Sequence, residues 1–245
     1  MATTPRTKVG RDRDAHLVDG VDYPTSDGKP MGETDLHREE MFDVIKALQR
    51  HFAADPQVYV TGNILLFYEP GDKRRHISPD AFVALGVPKS PPRDYYLVWK
   101  EPKGPDVVIE ITSRTTRRED QKKKLALYRD VLKVPEYFQS DPTEDYLKPP
   151  LQGFRLVDGE YRPIEFVNGR LPSLLLGLDL VRDGTRLRFI DQATGHWLLT
   201  PTERVDEEAR RANEATERVN EIALENDRLR REVEALRRRS GSPED

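Results

Sequence analysis

The sequence predicts an α/β fold with added antiparallel strands and a C-terminal coiled-coil helix. Three observations predict it. Helical segments alternate with short β-branched and aromatic runs between residues 34 and 140, short strand-like runs separated by turn residues continue to residue 200, and the tail repeats apolar residues every seven positions.

Taken in order, residues 1–30 are rich in Thr, Asp, Arg, Gly and Pro with scattered hydrophobics, and read as an extended or disordered arm. From Thr34 or Asp35, which can cap a helix, Met41, Ile45, Leu48 and Phe52 recur at helical spacing in DLHREEMFDVIKALQRHF. The runs VYV and ILLFYE come next as a hairpin-like pair that ends at the Pro70-Gly71-Asp72 turn. HISPDAFVAL and PDVVIEIT are two further strands, each opening on Pro-Asp and separated by a long Pro-rich and aromatic loop. Residues 117–132 form a charged helix with a narrow stripe of Leu125, Tyr128 and Leu132, and EYFQ is a short strand. GFRLVDGEYRPI and GLDLVRDGTRLRFIDQATGHWLLT then extend the main sheet in antiparallel fashion. The expected boundaries are an arm at 1–30, an α/β domain at 31–200, a coiled coil at 201–238 and a disordered tail at 239–245.

In the tail, Val205, Ala212, Val219, Asn226 and Val233 fall at a positions, and Ala215, Ile222, Leu229 and Leu236 at d positions. Asn226, polar at an a position, favours a parallel homodimer in register, and Glu225 with Arg230 and Glu232 with Arg237 form g-to-e pairs across it. The alternative is one amphipathic helix docked on its own domain.

Composition narrows the chemistry. A formal charge of −4 gives no global basic field, so any nucleic-acid affinity must come from a local patch. With no cysteine, thiolate zinc sites, disulfides and cysteine nucleophiles are excluded, and metal chemistry must use oxygen or His ligands. No apolar run reaches the roughly 20 residues of a membrane span and no signal-peptide pattern opens the chain, so a cytoplasmic location is expected. His51, His76 and His196 lack the spacing of a metal pair, and neither a Gly-rich phosphate loop nor a Gly-x-Ser-x-Gly elbow is present.

Within DVVIEIT, alternation puts Asp106, Val108, Glu110 and Thr112 on one face and Val107, Ile109 and Ile111 on the other. An ionised Glu110 in such a strand costs several kcal/mol unless a cation, an Arg or Lys, or a metal lies beside it. Asp80 repeats the pattern on the neighbouring strand, and two acids so placed repel unless a divalent ion such as Mg²⁺ or Mn²⁺ sits between them. An ordinary salt bridge at Glu110 and a strand-opening turn at Asp80 are the structural alternatives. Asp120, Lys124 and Tyr128 share a helix face, where an exposed Asp120 to Lys124 pair is the structural reading.

The ordered set HISPDAFVALGVP, GPDVVIEITSRTTRREDQKKKLALY and VPEYFQSDP resembles the signature of the Uma2 family (DUF820) of the PD-(D/E)XK nuclease superfamily, over residues 34–200. The resemblance implies a restriction-endonuclease-like core: a central mixed sheet flanked by helices, acids on two adjacent strands, and a lysine. It further implies a Mg²⁺- or Mn²⁺-dependent DNA endonuclease with Asp80, Glu110 and Lys124 as catalytic residues. Asp80, Glu110 and the Ile111 carbonyl then ligate the metal, while Arg114, Arg117, Arg118, Lys122 and Lys123 form a basic patch for DNA. Thr112 stands where the superfamily's acid-x-Lys places its lysine, and Phe138 where many relatives have Trp. His37, Glu39 and Glu40 are accessory candidates on the first helix. The competing function is a non-catalytic nuclease-like scaffold that dimerises and recruits partners through its coiled coil.

Overall fold

The structure is a computed structural model that describes residues 17–26, 28, 34–112 and 118–240. The chain divides into two compact units, Met1–Leu198 and Leu199–Asp245.

In the first unit, β1 (Leu17–Val18) and β2 (Val21–Asp22) form a two-stranded ribbon, followed by α1 (Asp35–His51) and β3 (Val58–Thr61). Then come β4 (Leu66–Phe67), β5 (His76–Ile77), β6 (Ala81–Leu85), β7 (Tyr96–Leu97) and β8 (Val107–Ile111). Next is α2 (Arg118–Ala126), which continues through a wide π-helical turn (Leu127–Val131), and then β9 (Glu136–Ser140), β10 (Leu151–Val157) and β11 (Glu160–Pro163). The unit closes with β12 (Leu171–Ser173), β13 (Leu178–Asp183) and β14 (Arg186–Asp191). The second unit is α3 (Pro201–Ser240).

A six-stranded sheet of order β11-β10-β9-β8-β6-β3 is the frame. Its one parallel pair is β8 with β9, and a parallel neighbour needs a crossover, which α2 and the π-helical turn supply. Both faces are covered. On one, Val44, Ala47 and Leu48 of α1 pack with Val83, Ile109 and Phe138 and with Leu180 and Phe189 of the β12–β14 sheet. On the other, Phe82, Val108 and Tyr137 pack with Tyr96 and Tyr128. This two-sided cover is why VVIEI is buried throughout, as a central strand with helices on both sides must be.

Two expectations change. VYV and ILLFYE are not a hairpin: β3 pairs with β6, while β4 pairs with β5 and β7 in a separate sheet. The chain leaves the main sheet at Gly62-Asn63, where Asn63 adopts φ +53 and its N–H donates to Pro79 O at 2.8 Å. The strands after residue 170 likewise form their own sheet, and only β10 and β11 extend the main one. The described part of the N-terminal arm is extended, as a two-stranded ribbon. Asp19 and Gly20, with φ +51 and +78, make the tight turn between β1 and β2, and Tyr23 buries its ring against Phe67 and Trp99. The rest of the arm and the tail at 241–245 lie outside the described residues.

Gly62 allows two chain segments to touch, because a Cβ there would lie 1.9 Å from the Asp80 carbonyl oxygen and 2.7 Å from Ile45 Cδ1. Gly62→Ala is therefore expected to displace Asp80 at a cost of about 2 kcal/mol or more, a fall in Tm of about 5 °C. A thermal melt equal to that of the unchanged protein would disprove this account of the close approach.

Candidate active site

The site is built at one end of β6 and β8. Their register pairs Ala81 with Ile109 and Phe82 with Val108, and one step further sets Asp80 opposite Glu110. Opposed residues of an antiparallel pair project to the same face, so the two carboxyls emerge together, on the side covered by α2. Asp80 sits just before its strand, and its Oδ2 accepts the Ile111 N–H at 2.7 Å. The ladder is thus completed by a side chain, which fixes the carboxylate.

Two helices approach this end from opposite faces. From α2 and the turn beyond it, Lys124 Nζ donates to Glu110 Oε2 at 2.8 Å and the Tyr128 hydroxyl donates to Glu110 Oε1. The four-residue spacing puts both donors on one helix face, and Tyr128 lies within the π-helical turn, a widening that often marks functional positions. Lys124 therefore pairs with the strand acid, while the side chain of Asp120, its expected partner, lies outside the described residues.

From α1, the Thr34 cap accepts the His37 N–H at 3.2 Å and sets His37 in the first turn. His37 Nε2 lies 2.9 Å from the Ile111 carbonyl oxygen and 3.3 Å from Asp80 Oδ2. Neither a carboxylate nor a carbonyl donates, so Nε2 carries the proton and donates toward both. Glu40, one turn on, is buried and its Oε1 accepts from Ser140 Oγ at 3.1 Å and from the Leu187 N–H at 3.0 Å. Its Oε2 is buried with no hydrogen-bond partner among the described residues. Glu39 instead points outward, 3.6 Å from Arg186.

The two strand acids are driven apart electrostatically. Burial raises the Glu110 carboxyl to about 7; Lys124 opposes that shift and the Asp80 charge adds to it. Burial pushes Asp80 upward too, but the His37 hydrogen bond, the Lys124 charge and the Ile111 N–H outweigh it and hold Asp80 below the ordinary carboxylate value. One acid stays ionised while its neighbour is poised to take or release a proton, a common division between paired carboxylates in catalytic sites.

Asp80, Glu110, Ile111 and Lys124 are thus brought together. Among the described residues no group of three His, Asp or Glu side chains is spaced to hold a metal ion. The oxygen donors that fit a hard cation are the two carboxylates and the Ile111 carbonyl, and the His37 N–H already bridges two of these three. Of the basic patch, Lys122 and Lys123 are carried on α2, Arg118 opens that helix, and Arg114 and Arg117 lie outside the described residues. Thr112 donates from its N–H to Ser140 O at 2.7 Å and closes the β8–β9 ladder. Phe138 is a core residue on the α1 side. The second Pro-Asp acid, Asp106, is structural: it accepts from the Leu85 N–H at 2.7 Å and from Lys103 Nζ at 2.5 Å, at the far end of β8.

Sequence reasoning missed Tyr128 and Ser140 and underweighted His37 and Glu40. The signal for the helix pair was there, because His37 and Glu40 fall on the same face as Val44, Ala47 and Leu48, so the buried stripe of α1 turns polar in its first two turns.

The Uma2 family model, described as a putative restriction endonuclease, matches residues 14–185. Among solved structures, the chain is similar to a putative nuclease belonging to DUF820 from Anabaena variabilis, at 15% identity and a TM-score of 0.44, over 60% of this chain and 76% of that one. No curated protein matches.

Burial also lifts Glu40 from its ordinary 4.5 to about 7, against the hydrogen bonds from Ser140 and Leu187. A raised folded-state value favours the protonated form, so this stability is present below about pH 4.5 and lost as pH rises through about 7. The shift corresponds to about 3 kcal/mol. Glu40→Gln removes the titration, so its Tm should gain on the unchanged protein across that window and hold its lead above it. A gap between the two that does not vary with pH would contradict the assignment.

Proposed function

The chain belongs to the Uma2 family, and on that premise we propose that it is a nuclease that hydrolyses DNA phosphodiester bonds with Mg²⁺ or Mn²⁺. The observation that carries this reading is the meeting of Asp80 and Glu110 across adjacent strands, with the Lys124 ammonium 2.8 Å from Glu110 Oε2. Asp80, Glu110 and the Ile111 carbonyl would hold the cation, which supplies polarisation of the scissile phosphate and a water of lowered pKa.

The chain's own residues do the rest. Lys124, held at Glu110, orients the attacking water and offsets the negative charge that builds on the phosphoryl oxygens as the water's oxygen bonds to phosphorus and the bond to the departing sugar oxygen breaks; the water gives up a proton to solvent and the departing oxygen takes one up. Tyr128 fixes the other Glu110 oxygen, so the carboxylate cannot rotate away from Lys124. His37 keeps Asp80 and the Ile111 carbonyl in place from the α1 side. Lys122 and Lys123, on the same helix as Lys124, are suited to contact the phosphate backbone and to give a salt-dependent affinity without base readout.

Three isolated changes test this against the scaffold alternative. With supercoiled plasmid and Mg²⁺ or Mn²⁺, Asp80→Asn, Glu110→Gln and Lys124→Ala should each slow cleavage about 100-fold or more. Calorimetric titration of Mn²⁺ should separate them: the two acid variants lose at least about 10-fold in affinity, while Lys124→Ala keeps it. A folded, unchanged protein that neither nicks plasmid nor binds Mn²⁺ would leave the scaffold reading in possession.

A further inference from the structure

We propose that α3 pairs with α3 of a second copy of this chain, parallel and in register, as a two-stranded coiled coil. Every described side chain of residues 215–238 is exposed, and the apolar ones include Val219, Ile222, Leu229, Val233 and Leu236, each at least 47% exposed. All five lie at a or d of one heptad frame, so they form a single stripe along the helix. The exposed Leu224 lies outside that stripe, and Glu208 occupies the first d position, so the continuous seam runs from Ala212 to Leu236.

The helix's own ion pairs flank this seam. Apart from Arg204 with Glu208, they join Arg210 to Glu207 and Glu214, Arg211 to Glu207, Arg228 to Glu225 and Arg238 to Glu234, and each of these residues lies outside the a and d positions. They support the helix and solvate its outer faces, while the apolar stripe stays open to solvent.

A second copy is the occupant whose chemistry matches. In a parallel pair, g residues meet e residues five positions on. Glu225 then faces Arg230, Glu232 faces Arg237, and Arg211 and Arg218 face the uncharged Thr216 and Ala223, so no like charges oppose. Charge alone does not fix direction, since an antiparallel pair would also join Arg218 to Glu225 and Arg211 to Glu232. Asn226 decides: in parallel it meets its own counterpart and the two amides hydrogen-bond, whereas in the antiparallel arrangement it is buried against Ala215 without a polar partner.

Sedimentation equilibrium of the full chain at micromolar concentration should give twice the 28.3 kDa chain mass. The double change Ile222→Glu with Leu229→Glu should halve it and leave the melting of the Met1–Leu198 unit unchanged. Because the chain has no cysteine, Leu236→Cys provides a single thiol that reports direction. Mild oxidation should link the parallel dimer covalently, since the antiparallel arrangement would hold the two thiols about 45 Å apart. A monomer mass overturns the proposal, as does a dimer whose Leu236→Cys form does not cross-link.

Discussion

The site depends on one backbone contact, the Ile111 N–H donated to Asp80 Oδ2. β6 begins at Ala81, and without that bond Asp80 would be the last residue of the preceding loop, free to turn its carboxylate to water. The bond makes the side chain act as one more rung of the ladder, which sets Asp80 opposite Glu110 and holds it there ahead of the strand's own pairing. The absence of a side chain at Gly62 is the complementary condition, because it lets the neighbouring chain pass against the Asp80 carbonyl. A carboxylate placed by a ladder is positioned by many cooperative hydrogen bonds, and a site on a strand end is correspondingly more rigid than one on a loop.

Around that fixed pair the protein balances charge from two sides. Glu110 is satisfied by an ammonium and a phenol from the α2 side, Asp80 by an imidazole from the α1 side. Each donor is carried by a helix that also covers its face of the sheet, so the packing that stabilises the fold delivers the donors. Both Glu110 oxygens and Asp80 Oδ2 are met in this way, whereas Glu40 Oε2 is buried with no hydrogen-bond partner among the described residues. Compensation of this kind explains how two acids persist at a buried strand end, where unpaired carboxylates would be strongly disfavoured.

Much of this was readable from residues alone, and the reasons are local. Glu110 announces itself because an acid inside VVIEI has no place in a strand covered on both faces unless something answers its charge. Alternation also assigned Val107, Ile109 and Ile111 to one core and Val108 to the other. Lys124 was legible only through family resemblance, since a lysine on a helix as charged as REDQKKKLA has nothing in its spacing to distinguish it from its neighbours. What failed was partner choice between strands. VYV and ILLFYE lie close in sequence, yet β3 pairs across some twenty residues with β6, because β6 offers a longer apolar edge than the two-residue β4. Such pairing is settled by global burial rather than by any turn signal. The Asp19-Gly20 turn, by contrast, was a local signal in plain view.

The wide turn at Leu127–Val131 bears on how the protein would lose activity. Tyr128 reaches Glu110 from a stretch whose hydrogen bonds span five residues instead of four, a less favourable geometry than the α-helix that precedes it. Helix segments of this kind open locally at lower free energy than a six-stranded sheet unravels. If the segment carrying Lys124 and Tyr128 frayed, both donors would withdraw at once and leave two carboxyls facing each other at an otherwise intact strand end. Circular dichroism and compactness would register a native protein while the chemistry was switched off, so inactivation and denaturation are separable events in this architecture.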